Sequence, residues 1–121
     1  QYAVSSVPAF LQHAAMEALA TSTAPMRASY QARRDVTVEA LDRMGLSVVT
    51  PRGAFYAFPS IEGLGLASEE FCERAIREAG VALVPGSCFG GEGHVRLSYA
   101  TDEKTLATGL ERLAGFVGAL R

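Results

Sequence analysis

Several common classes of protein are excluded by what this sequence lacks. No apolar run is long enough to cross a bilayer, and no basic start leads into a continuous apolar stretch, so neither a membrane protein nor a signal peptide is predicted. The formal net charge is only −2 and no basic cluster is present, which argues against nucleic-acid binding. The chain opens at Gln1 and not at Met, which suggests a fragment or a processed product.

Cysteine and histidine are also scarce. Cys72 and Cys88 form no Cys-x-x-Cys pair and have no histidine at metal-binding spacing, so we predict no metal site. This cysteine usage fits a reducing cytoplasm. Cys72 falls on the apolar side of a predicted helix, whereas Cys88 lies in a glycine-rich loop without an adjacent base. His13 and His94 are interpreted as structural, because no catalytic triad or carboxylate pair can be assembled around them.

The first 44 residues have caps and apolar spacing that predict two helices. The first is predicted from Pro8 to Ala20, with Ser6 as its N-cap and an apolar face formed by Phe10, Ala14 and Leu19. The second is predicted from Pro25 to Gly45, with Met26, Tyr30, Thr37, Leu41 and Met44 on one side. Its length and its many polar residues favour a helix that bridges two lobes.

After Gly45 the pattern alternates between short strands and helices. Strands are predicted at 46–50, 54–58, 81–84 and 94–99. Helices are predicted at 68–79, with a buried stripe of Phe71, Cys72, Ala75, Ile76 and Ala79, and after a cap at Thr101 or Asp102, with a stripe of Leu106, Leu110, Leu113, Val117 and Leu120. This order predicts an α+β two-layer small domain over 45–121, whose short, largely antiparallel sheet is packed by helices. The helical segment 1–44 precedes it.

Arg96 is the most informative residue of the sequence. In the predicted strand 94–99, alternation turns Val95 and Leu97 toward the core and leaves Arg96 on the opposite face. A guanidinium held on a strand presents a planar donor fork that matches a carboxylate. From this pattern alone, an exposed or ion-paired arginine is the commoner interpretation.

Two glycine-containing segments invite a functional interpretation. The loop 86–93 leads into a strand and not into a helix N-terminus, and it lacks a Gly-Lys-Ser/Thr ending. We therefore interpret it as a flexible or tightly turning connection, and not as a phosphate-binding loop. Gly53, which precedes Phe55, either permits a special backbone conformation, lets a ligand approach, or forms an ordinary turn.

Several of these stretches, taken in order, resemble the class I and II aminotransferases of fold type I, and aspartate aminotransferase-like enzymes in particular. The strongest are Val-Pro-Gly at 84–86, followed by a variable loop, and Val-Arg-Leu-Ser-Tyr-Ala at 95–100 before the last helix. Pro-Arg-Gly-Ala-Phe-Tyr at 51–56 is similar to a further family segment, and Ser6 with residues 12–15 resembles the segment after the cofactor-lysine region. The resemblance covers nearly the whole chain and corresponds to the family's C-terminal small domain, with two helices leading in from the large domain.

The resemblance implies roles for two residues. Arg96 matches the arginine that binds the α-carboxylate of the substrate, and Phe55 matches an aromatic residue that lines the substrate pocket. An amino acid and a 2-oxo acid as substrates, pyridoxal phosphate as cofactor, and a cytoplasmic homodimer are implied for the full-length protein.

The cofactor-binding groups of the family lie upstream of these segments. They include a lysine that forms a Schiff base and an aspartate that pairs with the pyridine nitrogen. The only lysine here, Lys104, follows Arg96 and is therefore in the wrong place. We expect no catalytic, cofactor-binding or metal-binding residue in this chain. We also expect that the chain alone binds no cofactor, does not transaminate, and lacks the N-terminal large domain.

Three alternatives remain open from the sequence. A pyridoxal-phosphate carbon–sulfur lyase of the same fold shares the arginine. A stand-alone α+β module would bind an amino acid through Arg96 without a cofactor. A purely structural or dimerisation domain would not need Arg96 at all.

Overall fold

The computed structural model of the chain describes residues 6–121. Its helices are α1 (Ala9–Ala20), α2 (Ala24–Arg43), α3 (Ser68–Arg74) and α4 (Glu103–Ala119). Its strands are β1 (Tyr56–Ala57), β2 (Val84–Pro85) and β3 (Val95–Ser98). Short 3-10 turns occur at Glu62–Leu64 and Gly86–Phe89, and α3 continues as a π-helical turn over Ala75–Ala79. The predicted α+β fold, with helices against a small antiparallel sheet, is confirmed.

The sheet has the strand order β1-β3-β2, and both pairings are antiparallel. The predicted strand at 46–50 is wrong, because that segment is extended but belongs to no strand. The Ser60 amide donates to the Ser47 carbonyl at 2.8 Å. Segment 46–50 is therefore bonded to the residues that follow β1, but it does not form a ladder of strand hydrogen bonds. The strand predicted at 81–84 begins only at Val84.

Side chains on one face of β3 form the centre of the core. Val95, Leu97 and Tyr99 are only 1%, 6% and 2% exposed, as alternation predicts. Helix α4 contributes Leu106, Leu110, Leu113 and Val117 of its predicted stripe to the same core, while Leu120 is only partly buried. Asp102 caps this helix by accepting the Thr105 amide at 2.9 Å. The N-cap prediction at Asp102 is therefore confirmed.

Helix α2 is fully buried only in its second half, while Tyr30 in its first half packs partly against the core. Thr37, Leu41 and Met44 are buried, as predicted, whereas Met26 near the start of the helix is 64% exposed. The Arg33 guanidinium donates to the Thr101 carbonyl, which fastens α2 to the residues before α4. The predicted apolar side is thus covered over only part of its length.

Helix α1 contributes nothing to the core. Pro8 occupies its cap position and no side chain caps it, so the predicted N-cap Ser6 is wrong. The prediction of one apolar face is wrong, because Phe10 and Leu19 are nine residues apart and project from opposite sides of the helix. Both are uncovered, Phe10 at 71% and Leu19 at 89% exposed. Within residues 6–121, α1 therefore presents an apolar surface without a packing partner.

Helix α3 follows the prediction for its first two turns. Phe71, Cys72 and Ala75 are buried, and Gly80 ends the helix with a left-handed φ of 65°. Ile76, predicted to be buried, is 52% exposed. It lies in the π-helical turn, whose wider winding shifts side chains away from the phase of a regular α-helix.

Candidate functional site

Arg96 lies on the central strand of the sheet, with a neighbouring strand on each side. On one side it pairs with Val84 of β2, and on the other Ser98 of β3 pairs with Tyr56 of β1. Directly paired residues of antiparallel strands share a face, and so do residues two apart on one strand. Arg96 and Tyr56 therefore project from the face of the sheet that is opposite the core.

Two aromatic rings pack against the Arg96 guanidinium. Its Cζ atom lies 4.4 Å from the centroid of the Tyr56 ring and 4.6 Å from that of Phe89. Contacts of this kind contribute about 0.5–2 kcal/mol each, depending on solvent exposure. Neither contact is a hydrogen bond, so the N–H donors of the guanidinium are left for another partner.

Arg96 differs from the other half-buried arginines of the described chain in having no hydrogen-bond partner there. Arg33 donates to backbone carbonyls, and Arg34 and Arg74 each donate to a carboxylate. Residues 6–121 supply no hydrogen bond or ion pair to the Arg96 guanidinium. Within the same residues no buried side-chain nitrogen lacks a partner, so the Arg96 donors reach the molecular surface.

Phe55, the second residue predicted for the site, is separated from Arg96 by the Tyr56 ring. Its ring centroid is 4.4 Å from that of Tyr56 and 6.3 Å from that of Tyr30 on α2. Phe55 remains 39% exposed. The structure thus connects Phe55 with Arg96 through the intervening Tyr56 ring.

The backbone before Phe55 adopts an unusual conformation. Ala54 has a φ of 59°, in the left-handed region that favours glycine. Gly53 does not adopt a left-handed φ, so of the alternatives left open for Gly53 the special backbone conformation is wrong, and it occurs at the next residue. The Tyr99 hydroxyl donates to the Ala54 carbonyl at 3.2 Å and the Tyr99 amide to the Phe55 carbonyl at 3.0 Å, which hold this turn against β3.

The loop that carries Phe89 is tightly folded. The Gly86 amide donates to the His94 carbonyl at 2.9 Å, and the Gly91 amide donates to the Gly86 carbonyl at 3.0 Å. A Cβ atom on Gly86 would lie 2.1 Å from the Gly91 carbonyl oxygen and 2.4 Å from that of His94. Only glycine fits there, which supports the tight-turn interpretation of this loop.

Glu92 fastens the end of the same loop to helix α3. One carboxylate oxygen accepts the Ser68 amide at 2.6 Å, and the other accepts the Ser68 hydroxyl at 3.0 Å. The Ser68 oxygen in turn accepts the Ser87 amide at 3.3 Å. The amide and hydroxyl of Ser68, followed by the Gly93 amide, lower the pKa of Glu92. We call this group of Ser68, Ser87 and Glu92 the loop latch.

The remaining candidate groups lie outside this arrangement. Cys72 is buried, and burial followed by the neighbouring Cys88 raises its pKa to about 11, so the prediction of a core thiol is confirmed. His94 stacks on Phe58 at 5.2 Å between centroids. Lys104 lines a groove of about 510 Å³ with Thr101 on the α4 side of the fold, and Arg96 does not line that groove.

Two findings concern only the described residues. Among residues 6–121, no group of three or more histidine, cysteine, aspartate or glutamate side chains is arranged to hold a metal ion. No helix in this part of the chain is both long enough and apolar enough to span a membrane.

Sequence reasoning missed three residues that shape the site. Tyr56 could have been found, since it alternates with buried Ala57 on the strand next to Arg96. Phe89 and Glu92 could not, because their positions depend on the path of an irregular loop. A glutamate among glycines was the only local signal.

Comparisons with known proteins cover almost the entire chain. Residues 1–113 match the family described as aminotransferase class I and II. The aromatic-amino-acid aminotransferase 2 of Thermococcus litoralis and the aspartate aminotransferase of Pyrococcus abyssi are each 46% identical to it, over 86% of this chain and 28% of their own length.

A solved structure shows the same fold at similar identity. The aromatic aminotransferase of Pyrococcus horikoshii OT3 matches 91% of this chain and 31% of its own, with a TM-score of 0.85 and 44% sequence identity. The chain therefore spans less than a third of the length of the relatives it matches.

Proposed function

Because this chain belongs to the class I and II aminotransferases, we propose that it supplies the substrate-carboxylate site of a complete pyridoxal-phosphate-dependent aminotransferase. In that enzyme an amino group passes between an amino acid and a 2-oxo acid, and both substrates carry a carboxylate next to the reacting carbon. Arg96 binds that carboxylate, and Phe55 lines the pocket beside it.

The observation that carries this proposal is a half-buried guanidinium that lies over two aromatic rings and whose donors have no partner in residues 6–121. A carboxylate placed in the guanidinium plane would accept two parallel N–H bonds. The neighbouring rings of Tyr56 and Phe89 restrict the guanidinium to few orientations, which lowers the entropic cost of binding. Holding the carboxylate also orients the adjacent carbon for reaction.

The described residues do not form a cofactor site by themselves. Pyridoxal phosphate supplies an electron sink when it is bound, and its attachment requires a lysine. Lys104 is the only lysine in the sequence, and it lies on the groove beside α4 and not on the sheet face with Arg96. We assign the cofactor, its lysine and the chemical steps to other parts of the complete protein, and expect no turnover by this chain alone.

The uncovered apolar side chains of α1 support a larger assembly. We assign residues 45–121 to a small domain and residues 1–44 to the segment that leads to a large domain. In the complete enzyme that large domain covers α1, and a cytoplasmic homodimer is the assembly that we propose. Which amino acid is the substrate depends on residues outside this chain.

Replacement of Arg96 in the complete enzyme tests the carboxylate site. We expect Arg96→Ala to raise KM for both the amino acid and the 2-oxo acid about 10- to 150-fold, the equivalent of about 1.5–3 kcal/mol for bonds to a charged group. Arg96→Lys keeps the charge but loses the planar fork, so its KM values should lie between those of the parent enzyme and those of Arg96→Ala. Exposed Arg77 provides the control, since Arg77→Ala should leave both KM values unchanged. An unchanged KM in Arg96→Ala would refute the assignment.

A further inference from the structure

The loop between β2 and β3 connects the Arg96 site with the start of α3. Phe89, at the end of the 3-10 turn in this loop, contributes one of the two rings against the guanidinium. Phe89 is itself 51% exposed, and its other ring contact is an edge-on one with Phe58, itself 36% exposed, at 6.2 Å between centroids. Its position therefore depends on how the loop backbone is fixed.

The loop latch fixes that backbone on both sides of Phe89. Ser87 lies two residues before Phe89 and Glu92 three residues after it, and both bond to the same residue, Ser68. Ser68 is 0% exposed and opens α3, whose following turns reach the core at Phe71. The latch thus anchors a partly exposed loop to a rigid part of the fold.

The hydrogen bonds of the loop latch are of a strong kind, which suits a group that holds the loop on α3. The charged carboxylate of Glu92 accepts two bonds from Ser68, and such bonds are shorter and stronger than neutral ones. These bonds to Ser68 lower the pKa of Glu92 and so favour its ionised form. The first turn of α3 also carries Glu69 and Glu70, so the strength of the contact comes from the direct bonds to Ser68 and not from a surplus of positive charge.

We infer that Glu92 is a positioning residue for substrate binding, which through Ser68 holds the Phe89 ring against Arg96 and so keeps the guanidinium oriented toward the carboxylate. This inference rests on the proposed carboxylate site. It assigns to Glu92 no contact with the substrate or the cofactor.

Steady-state kinetics on the complete enzyme test the inference, with 2-oxoglutarate as acceptor and the best donor from a panel of L-amino acids. Glu92→Ala should raise KM for both substrates about tenfold, with a smaller change in kcat. Glu92→Gln keeps an acceptor for the Ser68 amide and should restore part of the affinity. Ser68→Ala removes the shared hydroxyl without adding volume, and provides an independent variant if Glu92→Ala does not fold.

A double-mutant cycle separates positioning from general destabilisation. If the latch acts through the Phe89 ring, Phe89→Ala should raise KM, and adding Glu92→Ala to it should raise KM no further. Asp102→Ala is the matched control, because Asp102 also caps a helix with its carboxylate but lies outside the loop. It should lower thermal stability and leave KM unchanged.

Each outcome decides one question. An unchanged KM in Glu92→Ala and Ser68→Ala, with a raised KM in Arg96→Ala, would overturn the latch and leave the carboxylate site standing. Effects of Glu92→Ala and Phe89→Ala that multiply would overturn the route through Phe89. If Arg96→Ala also leaves KM unchanged, the proposed function itself fails.

Discussion

At the scale of single residues, the site depends on a loop position that leaves no room for a side chain. Gly86 is the clearest, because a Cβ atom there would overlap two carbonyl oxygens that belong to the loop and to the start of β3. Backbone atoms cannot move aside as the end of a flexible side chain can. The loop that presents Phe89 therefore requires glycine at this point.

We predict that Gly86→Ala destabilises the chain by about 1–3 kcal/mol, the usual range for overpacking. Gly115 in α4 serves as the control, because a Cβ atom there meets nothing within 4 Å. Gly115→Ala should stabilise the chain by about 0.5–1 kcal/mol through helix propensity. Urea unfolding followed by circular dichroism measures both. Equal stability of Gly86→Ala and the parent chain would show that the loop is not built as described.

Residue-level prediction from the sequence succeeded where a regular period applied. Alternation along β3 placed Val95 and Leu97 in the core and Arg96 on the other face. It could not locate Phe89, which approaches Arg96 from a loop with no period. It left a special backbone conformation at Gly53 as one of three alternatives, whereas the left-handed φ occurs at Ala54. Turn conformations depend on the contacts on both sides, here on the bonds from Tyr99.

At the scale of elements, helices were predicted better than strands. The bounds of α2 and α4 follow from caps and apolar spacing, which are local properties of the chain. The expected strand at 46–50 has suitable residues, but a strand also needs a partner edge, and none is offered along its length. Partner choice is a property of the folded chain, so the sequence pattern could not decide it.

Carboxylates accept amide hydrogen bonds at the start of two helices, Glu92 at α3 and Asp102 at α4. These bonds predict how the stability of the chain responds to acid. The Ser68 amide lowers the pKa of Glu92, and hydrogen bonds from Thr105 lower that of Asp102. Groups with a lowered pKa in the folded state stabilise it fully above their unfolded pKa values, near 4. This stabilisation is lost as the pH falls through the lowered values. Stability should therefore be level from about pH 7 to 5 and decline below about pH 4.5.

Urea unfolding between pH 7 and pH 3 measures this decline. Glu92→Gln combined with Asp102→Asn removes both titrating groups while keeping acceptors at both positions, so its decline should be shallower. Some slope should remain, because a hydrogen bond from Arg74 also lowers the pKa of Glu78. An unaltered acid response in the double variant would contradict the role of these carboxylates in stability.

At the scale of the whole chain, the uneven distribution of burial is the main feature. The residues from the second half of α2 onward form a core, while α1 has no buried residue. From the residue before Pro8 to the start of α2, the large apolar side chains are exposed. They are Val7, Phe10, Leu11, Met16, Leu19 and Met26. A surface of this kind promotes association unless another part of the protein covers it.

We predict that the 121-residue chain self-associates, with a mass in light scattering that rises with concentration. Replacing Phe10 and Leu19 together by serine should shift the mass toward the monomer, because both side chains are largely exposed. The urea midpoint should change little, since neither contributes to the core. As a control, replacing exposed Val49 by serine should not alter the association. A parent chain that is monomeric at all concentrations would contradict this prediction.

The half-anchored helix α2 has a mechanical consequence. Its 20 residues extend for about 30 Å, and burial increases along it from Met26, 64% exposed, to Leu41, which is fully buried. If the core turned by about 10° with this helix rigid, Ala24 would sweep through roughly 4–5 Å. The helix would then act as a lever arm, converting a small rotation of the unit around Arg96 into a displacement of several ångströms at its first turn.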